Sequence, residues 1–129
     1  QIQRRHAGAR ILLVEDEPIN REVALFMLED VHIVVDLAED GLQALQMARE
    51  TPYALILMDM QMPRMNGIES ARGIRADSLN RDSPIIAMTA NAFAEDRKAC
   101  LEAGMNDFLS KPVEPERLLE TILKWLSRI

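Results

Sequence analysis

Five apolar residues, Ala54 to Met58, run without a break and stop at Asp59. The run is too short for a free-standing helix, and it has no polar alternate face to give to solvent. It suits a strand buried on both faces, as in a parallel sheet covered by helices on its two sides. In an open sheet of that kind the carboxyl ends of the strands border the ligand crevice, so a carboxylate closing such a strand points into a site. Pro63 and Gly67 mark a loop beyond it, and Asn66 is a residue type that caps a following helix. Taken alone, Asp59 serves equally well as a turn cap.

The same punctuation recurs along the chain. Ile11 to Val14 is a short apolar run that ends in Glu15-Asp16-Glu17. Ile33-Val34-Val35 is β-branched and reads as a strand. Pro84 introduces Ile85 to Met88, closed by Thr89, and Phe108-Leu109 is closed by Ser110-Lys111-Pro112. Helical patterns lie between these runs. Pro18 suits a first helical turn, and Ile19, Val23, Phe26 and Met27 follow at helical spacing as one apolar stripe. Asp40-Gly41 opens a second helix with Leu42, Leu45 and Ala48 on one side. Asn66 to Arg75 is a short helix, and Asp77 to Ser83 a polar loop. Ala92 to Ala103 is helical, with Gly104 as its stop. A last helix starts near Pro115, with Val113 and Leu118 placed as a hydrophobic staple and Leu118, Leu119, Ile122 and Leu126 on its buried face. Five strands alternating with five helices predict an α/β fold built on a doubly wound parallel sheet.

Size and charge narrow the function. At 129 residues the chain is one domain, and 48% hydrophobic residues argue against wholesale disorder. Residues 1–9 are polar and aperiodic, which reads as linker or cloning remnant before a domain spanning 10–129. A net charge of −6 speaks against a nucleic-acid binder, and the basic cluster Arg4, Arg5, His6 and Arg10 sits at the N-terminus. The single Cys100 cannot form an internal disulfide and fits a reducing compartment. No apolar run approaches the roughly 20 residues that cross a bilayer, and no signal peptide is visible. A soluble, cytoplasmic domain without direct membrane insertion is the expectation. The chain begins with Gln1, which fits a piece processed or excised from something longer.

Four strand ends carry polar side chains suited to one chemistry: Glu15-Asp16, Asp59, Thr89 and Lys111. A parallel sheet gathers them at one edge, however distant in sequence. Three clustered carboxylates repel and call for a divalent cation, and oxygen-only ligands favour Mg²⁺. Metal, ammonium and hydroxyl together can neutralise the equatorial oxygens of a transferring phosphoryl group, with Asp59 as nucleophile. Each residue has a plainer role when taken singly. Acids at strand ends cap helices, Lys before Pro is commonly solvated, and Thr after a strand forms turns. Asn20 reads as a first-turn helix residue, the eight Met residues as core filler and Cys100 as packing. The shared edge is what separates the set from coincidence.

The segments VEDEP, LMDMQMPRMNG, MTANA and DFLSKP together resemble the receiver domain of two-component response regulators, and the resemblance runs from Arg10 to Ile129. It implies a flavodoxin-like sheet of order 2-1-3-4-5. It also implies a phosphoacceptor at Asp59, an acidic pair at Glu15 and Asp16, a switch hydroxyl at Thr89 and a phosphate-binding Lys111 joined to Pro112 by a cis peptide. Mg²⁺ would be held by Glu15, Asp16, Asp59 and the backbone carbonyl of Gln61, and the aromatic switch position falls on Phe108. Glu15 departs from the Asp that many members carry, and its longer arm still reaches metal-bound water. The Glu-Asp pair, Asn20, Gln-Met-Pro and Thr-Ala-Asn-Ala are most similar to receivers attached to hybrid sensor histidine kinases. That implies partners in a histidine kinase or a histidine phosphotransfer domain, no nucleic acid, and a place in the cytoplasmic part of a membrane-bound sensor. It further implies self-catalysed phosphorylation and dephosphorylation at Asp59 instead of ordinary turnover.

Other readings compete. A stand-alone response regulator would act through protein contacts without relay. A haloacid-dehalogenase type of hydrolase also uses a strand-end Asp and Mg²⁺, but it wants an acid two residues later, where this chain has Gln61. A flavodoxin-like cofactor binder wants a phosphate loop after the first strand, where Glu15-Asp16-Glu17 repels phosphate. A phosphorylation-dead module is at odds with the intact Asp59, Thr89 and Lys111.

Overall fold

The computed structural model describes residues 10–15, 17–29, 33–59, 67–76, 78–89, 98, 101–110 and 115–126. Five strands form one sheet: β1 (Arg10–Val14), β2 (Val34–Ala38), β3 (Leu55–Asp59), β4 (Ile85–Thr89) and β5 (Asp107–Ser110). All neighbours are parallel, in the order β2-β1-β3-β4-β5. The doubly wound sheet and its 2-1-3-4-5 order therefore stand as expected. Among the described residues there are four helices: α1 (Pro18–Glu29), α2 (Gly41–Glu50), α3 (Gly67–Ala76) and α4 (Pro115–Leu126). The expected helix 92–103 lies mostly outside the described residues, though 101 and 102 are helical. The staple residue Val113 and Cys100 lie outside them as well.

Every residue of β3 is buried, as its unbroken apolar run requires. Alternation then deals the strands into two cores. Leu12, Val14, Ile56, Met58, Ile85 and Ala87 face α2 and α3, meeting Ala44, Leu45, Ala48, Ala71 and Ile74. Ile11, Leu13, Leu55, Leu57, Ile86 and Met88 face the other way, meeting Ala24 of α1 and Leu118 and Ile122 of α4. Met58, Met88 and Met105 are buried in these cores, which fits the filler role. Helices α2 and α3 lie close together: a Cβ on Gly73 would come within 2.9 Å of Leu45 Cδ2, and the buried Ser70 hydroxyl donates to the Gly41 carbonyl at 2.8 Å.

The helix starts follow their capping residues. Asp40 accepts from the Gln43 amide at 2.8 Å, while Gln43 Oε1 reaches back to the Glu39 amide at 2.6 Å, a reciprocal arrangement close to a capping box. Glu17 caps α1: its carboxylate accepts from Ile19 N at 3.3 Å and its carbonyl from Arg21 N at 3.1 Å. Gly104 takes φ 99°, the left-handed stop that glycine tolerates best.

Three local expectations are corrected. Two members of the α1 stripe are not buried: Ile19 is 68% and Phe26 77% exposed, while Ala24 packs on the core; the side chains of Val23 and Met27 lie outside the described residues. Leu42 is likewise exposed, and the buried positions of α2 are Gly41, Ala44, Leu45 and Ala48. Strand β2 begins at Val34 and runs through Asp36 to Ala38, three residues beyond the β-branched signal, and Arg10 Nη1 and the Tyr53 hydroxyl hold the Asp36 carboxylate at 3.0 and 2.8 Å.

Candidate functional site

The site grows from the ends of β1 and β3. Val14 pairs with Met58, so Glu15 and Asp59 occupy the next register step on adjacent strands. The Glu15 amide donates to the Ala38 carbonyl at 3.0 Å, which continues the ladder past the strand's formal end. By alternation Glu15 follows Ile11 and Leu13, and Asp59 follows Leu55 and Leu57, so both stand on the α1 side of the sheet. Both are buried, at 3% and 2% exposure. Glu15 Oε2 accepts from the Glu17 amide at 3.2 Å, which turns the first acid of the loop back toward its own backbone.

The fourth strand reaches the same edge. Asp59 pairs with Met88, which puts Thr89 one step farther on, and Thr89 pairs with Ser110. Thr89 thus stands at the carboxyl end of β4, beside the central strand that carries Asp59. Phe108 pairs with Ala87, is half-buried and packs on the core under α2 and α3. Asp16, Gln61, Lys111 and Pro112 lie outside the described residues, as do the side chains of Asn20 and Thr89. Of the expected set, the sheet therefore brings Glu15, Asp59 and the backbone of Thr89 to one edge, with Phe108 two residues back on β5. Two buried carboxylates on adjacent strand ends form a hard, oxygen-only donor set, which fits a small divalent cation better than a soft one. Among the described residues no cluster of three His, Cys, Asp or Glu forms.

A family model described as the response regulator receiver domain matches residues 11–123. The chain belongs to that family. The receiver is 41% identical over 115 residues to the signal transduction histidine-protein kinase BarA of Shigella flexneri, covering 89% of this chain and 12% of that protein. Among solved structures it is similar to the receiver domain of sensor histidine kinase PA1611 from Pseudomonas aeruginosa PAO1, which has a magnesium ion coordinated in its active site cleft. The TM-score is 0.87 at 45% identity, covering 94% of this chain and 99% of that one. It is also similar to the receiver domain of the response regulator Ssk1, seen in a co-crystal with the histidine phosphotransfer protein Ypd1 from Saccharomyces cerevisiae (TM-score 0.86, 31% identity, covering 94% and 90%). The receiver spans only 12–13% of the length of curated sensor kinases such as BarA and GacS.

Sequence reasoning passed over the opposite edge of this receiver. Asn80, in what reads as a polar loop, is fully buried. Its amide donates to the Ala48 and Thr51 carbonyls, both at 2.8 Å, and its oxygen accepts from Tyr53 N at 2.6 Å and the Ser83 hydroxyl at 3.0 Å. Beside it the Arg75 guanidinium donates to the carbonyls of Asn80, Arg81, Ser83 and Gly104 and to Asn106 Oδ1. Burial pulls the Arg75 guanidinium down from its usual range, with the Asp82 charge opposing. A groove lined by Tyr53, Ala54, Leu79, Arg81 and Pro84 also lies at this edge, away from Asp59. No periodicity marks these residues, since a loop Asn or Arg reads as solvated unless its partners are known.

Proposed function

We propose that this receiver, spanning 10–129 behind a short linker at 1–9, accepts a phosphoryl group on Asp59 from a phosphohistidine. It then passes that group to the histidine of a phosphotransfer domain. The observation that carries the reading is the burial of Asp59 at the carboxyl end of the central strand, one register step past the β1–β3 ladder and beside Glu15. An Asp59 carboxylate oxygen attacks phosphorus as the phosphorus–nitrogen bond breaks. The electron pair returns to the imidazole, and the aspartate becomes an acyl phosphate. Mg²⁺, when bound, supplies charge neutralisation for the phosphoryl oxygens. Asp16, Asp59 and the Gln61 carbonyl would hold it, with Glu15 acting through water. Lys111 places a fixed ammonium on the phosphate, and Thr89 offers it a hydroxyl. The likeness to a magnesium-bound receiver and to a receiver crystallised with a phosphotransfer protein supports both the metal and the partner class.

Drawing Thr89 toward the phosphate would vacate space beside β4 for Phe108, which is half-buried on the neighbouring β5. Phosphorylation biases this two-state shift only by its difference in interaction energy between the states. Among the described residues no helix is long and apolar enough to cross a membrane. We place the domain in the cytoplasm, as part of a hybrid sensor kinase. Intact mass after treatment with a small phosphodonor tests the core of the reading. One phosphoryl group should add with Mg²⁺ present, none without it, and none to Asp59→Asn. Persistent labelling of Asp59→Asn at another residue would sink the assignment.

A further inference from the structure

The acids at the carboxyl edge of the sheet extend one strand beyond the pair already described. Val14 pairs with Ala38 on β2 and with Met58 on β3, so Glu39, Glu15 and Asp59 take the next register step on three adjacent strands. Glu39 follows Val35 and Leu37, which pack on the core facing α1, so its side chain belongs to the same face as the other two. A cation closes this row. Arg21, in the first turn of α1, places Nη1 3.3 Å from Glu39 Oε1, and its side chain is only 21% exposed. It is the only basic residue of α1. Its Nε–H is buried without a hydrogen-bond partner among the described residues. A guanidinium kept for structure uses its donors, as Arg75 does on four carbonyls and the Asn106 side-chain oxygen. Arg21 is placed for its charge.

We infer that Arg21 sets the charge balance of this site, holding back Mg²⁺ and drawing in the phosphodonor; this rests on the phosphoryl-acceptor reading of Asp59. The row spans two strand spacings, roughly 10 Å, which is about one Debye length at 0.1 M salt. A unit charge at one end is therefore felt at the other, the more so because Glu15 and Asp59 are buried. The two charged visitors respond with opposite sign. A divalent cation beside Asp59 is repelled by the guanidinium, while the dianionic phosphoryl group that follows it is attracted. Glu39 tempers both effects, because its pairing with Arg21 cancels much of the charge and pins the long side chain at the margin of the site. Without Arg21 the row ends in an uncompensated third carboxylate. Arg21 thus acts through the field, as a positioning residue, and takes no part in bond making.

Arg21→Gln keeps a donor for Glu39 and removes the charge, whereas Glu39→Gln keeps an acceptor and leaves the guanidinium uncompensated. An NMR titration of the intact domain with Mg²⁺ at low ionic strength should show several-fold tighter binding in Arg21→Gln. It should show several-fold weaker binding in Glu39→Gln, with Arg21→Lys close to wild type. At Mg²⁺ concentrations that give each protein equal occupancy, the rate of mass gain from acetyl phosphate should order the other way. Arg21→Gln should be slower than wild type and Glu39→Gln faster. Both differences should shrink as salt is raised toward about 1 M, where the Debye length is ~3 Å. A packing defect would move both variants in one direction and would ignore salt. Affinity shifts of the two variants in the same direction, or an Arg21→Gln affinity equal to wild type, overturn the inference. If wild type gains no mass, the phosphoryl-acceptor reading falls and takes the donor half of the inference with it, while the order of Mg²⁺ affinities still decides the metal half.

Discussion

Glu15 and Asp16 are adjacent acids, and the surroundings of Glu15 bear on how the two would share a metal. Glu15 is buried and already accepts the Glu17 amide, so its carboxylate is not wholly available to a metal. Substitution of Asp16 should therefore weaken Mg²⁺ binding by on the order of tenfold or more, and Glu15→Gln by clearly less, as expected for an outer-sphere group. A titration followed by NMR shifts of the Asp59 amide measures both, and equal losses would contradict the division. Tyr53 provides a residue-level test of a different kind. Burial first, and then its hydrogen bond and proximity to Asp36, push its hydroxyl from 10.0 up to about 12. A raised value means that the folded state holds the proton longer, so the stabilisation is complete below pH 10 and is lost as pH rises toward 12. Urea denaturation between pH 8 and 11.5 should show wild type losing stability faster than Tyr53→Phe, and parallel curves would exclude the coupling.

At the scale of elements, Arg75 ties the end of α3 to the loop before β4 and the corner before β5. It donates to four backbone carbonyls and one side-chain oxygen. Arg75→Ala should cost about 2–4 kcal/mol in a denaturant titration, and Arg75→Lys should recover less than half, since an ammonium lacks the planar fork. A Cβ on Gly104 would meet Arg75 Cγ at 2.7 Å and would sit on a φ of 99°. Gly104→Ala should therefore cost about 1–2 kcal/mol, and less in the Arg75→Ala background, where the clash is gone. These elements also show what the sequence discloses. The runs ending at Val14, Asp59 and Thr89 were legible because a strand buried on both faces needs apolar residues at every position. The inward face of α1 was not, because periodicity finds an apolar stripe without telling whether anything covers it, and Ile19 and Phe26 turned outward. Asp36 and Asn80 stayed hidden for the converse reason. A polar residue is admitted to a strand or a core only by partners far off in sequence, here Arg10, Tyr53, Ala48 and Thr51. Glu15 and Asp59 were readable as a pair because parallel topology alone aligns strand ends, whereas the bond from the Trp125 indole to Asp107 needed the position of α4.

For the whole molecule, the candidate site and the Arg75–Asn80 network occupy opposite edges of a sheet only about 16 Å deep, five residues at roughly 3.3 Å each. A ligand at one edge thus acts on the global unfolding equilibrium through the same strands. With a millimolar-class site, about 10 mM Mg²⁺ should add on the order of 1 kcal/mol to the unfolding free energy. Asp59→Asn should forfeit most of that gain. Denaturation with and without Mg²⁺, at matched ionic strength, checks the difference, and an undiminished gain in Asp59→Asn would place the cation elsewhere.

The two outer strands of the sheet have one more property in common. Asp36 on β2 is held by Arg10 and the Tyr53 hydroxyl, and Asp107 on β5 by Lys124 and the Trp125 indole, so each open margin carries an acid locked between a cation and an aromatic donor. An unpaired strand margin is a template for another chain, and a fixed charge there makes stacking against a second margin expensive. The same two aspartates therefore act as guards against self-assembly into extended sheets.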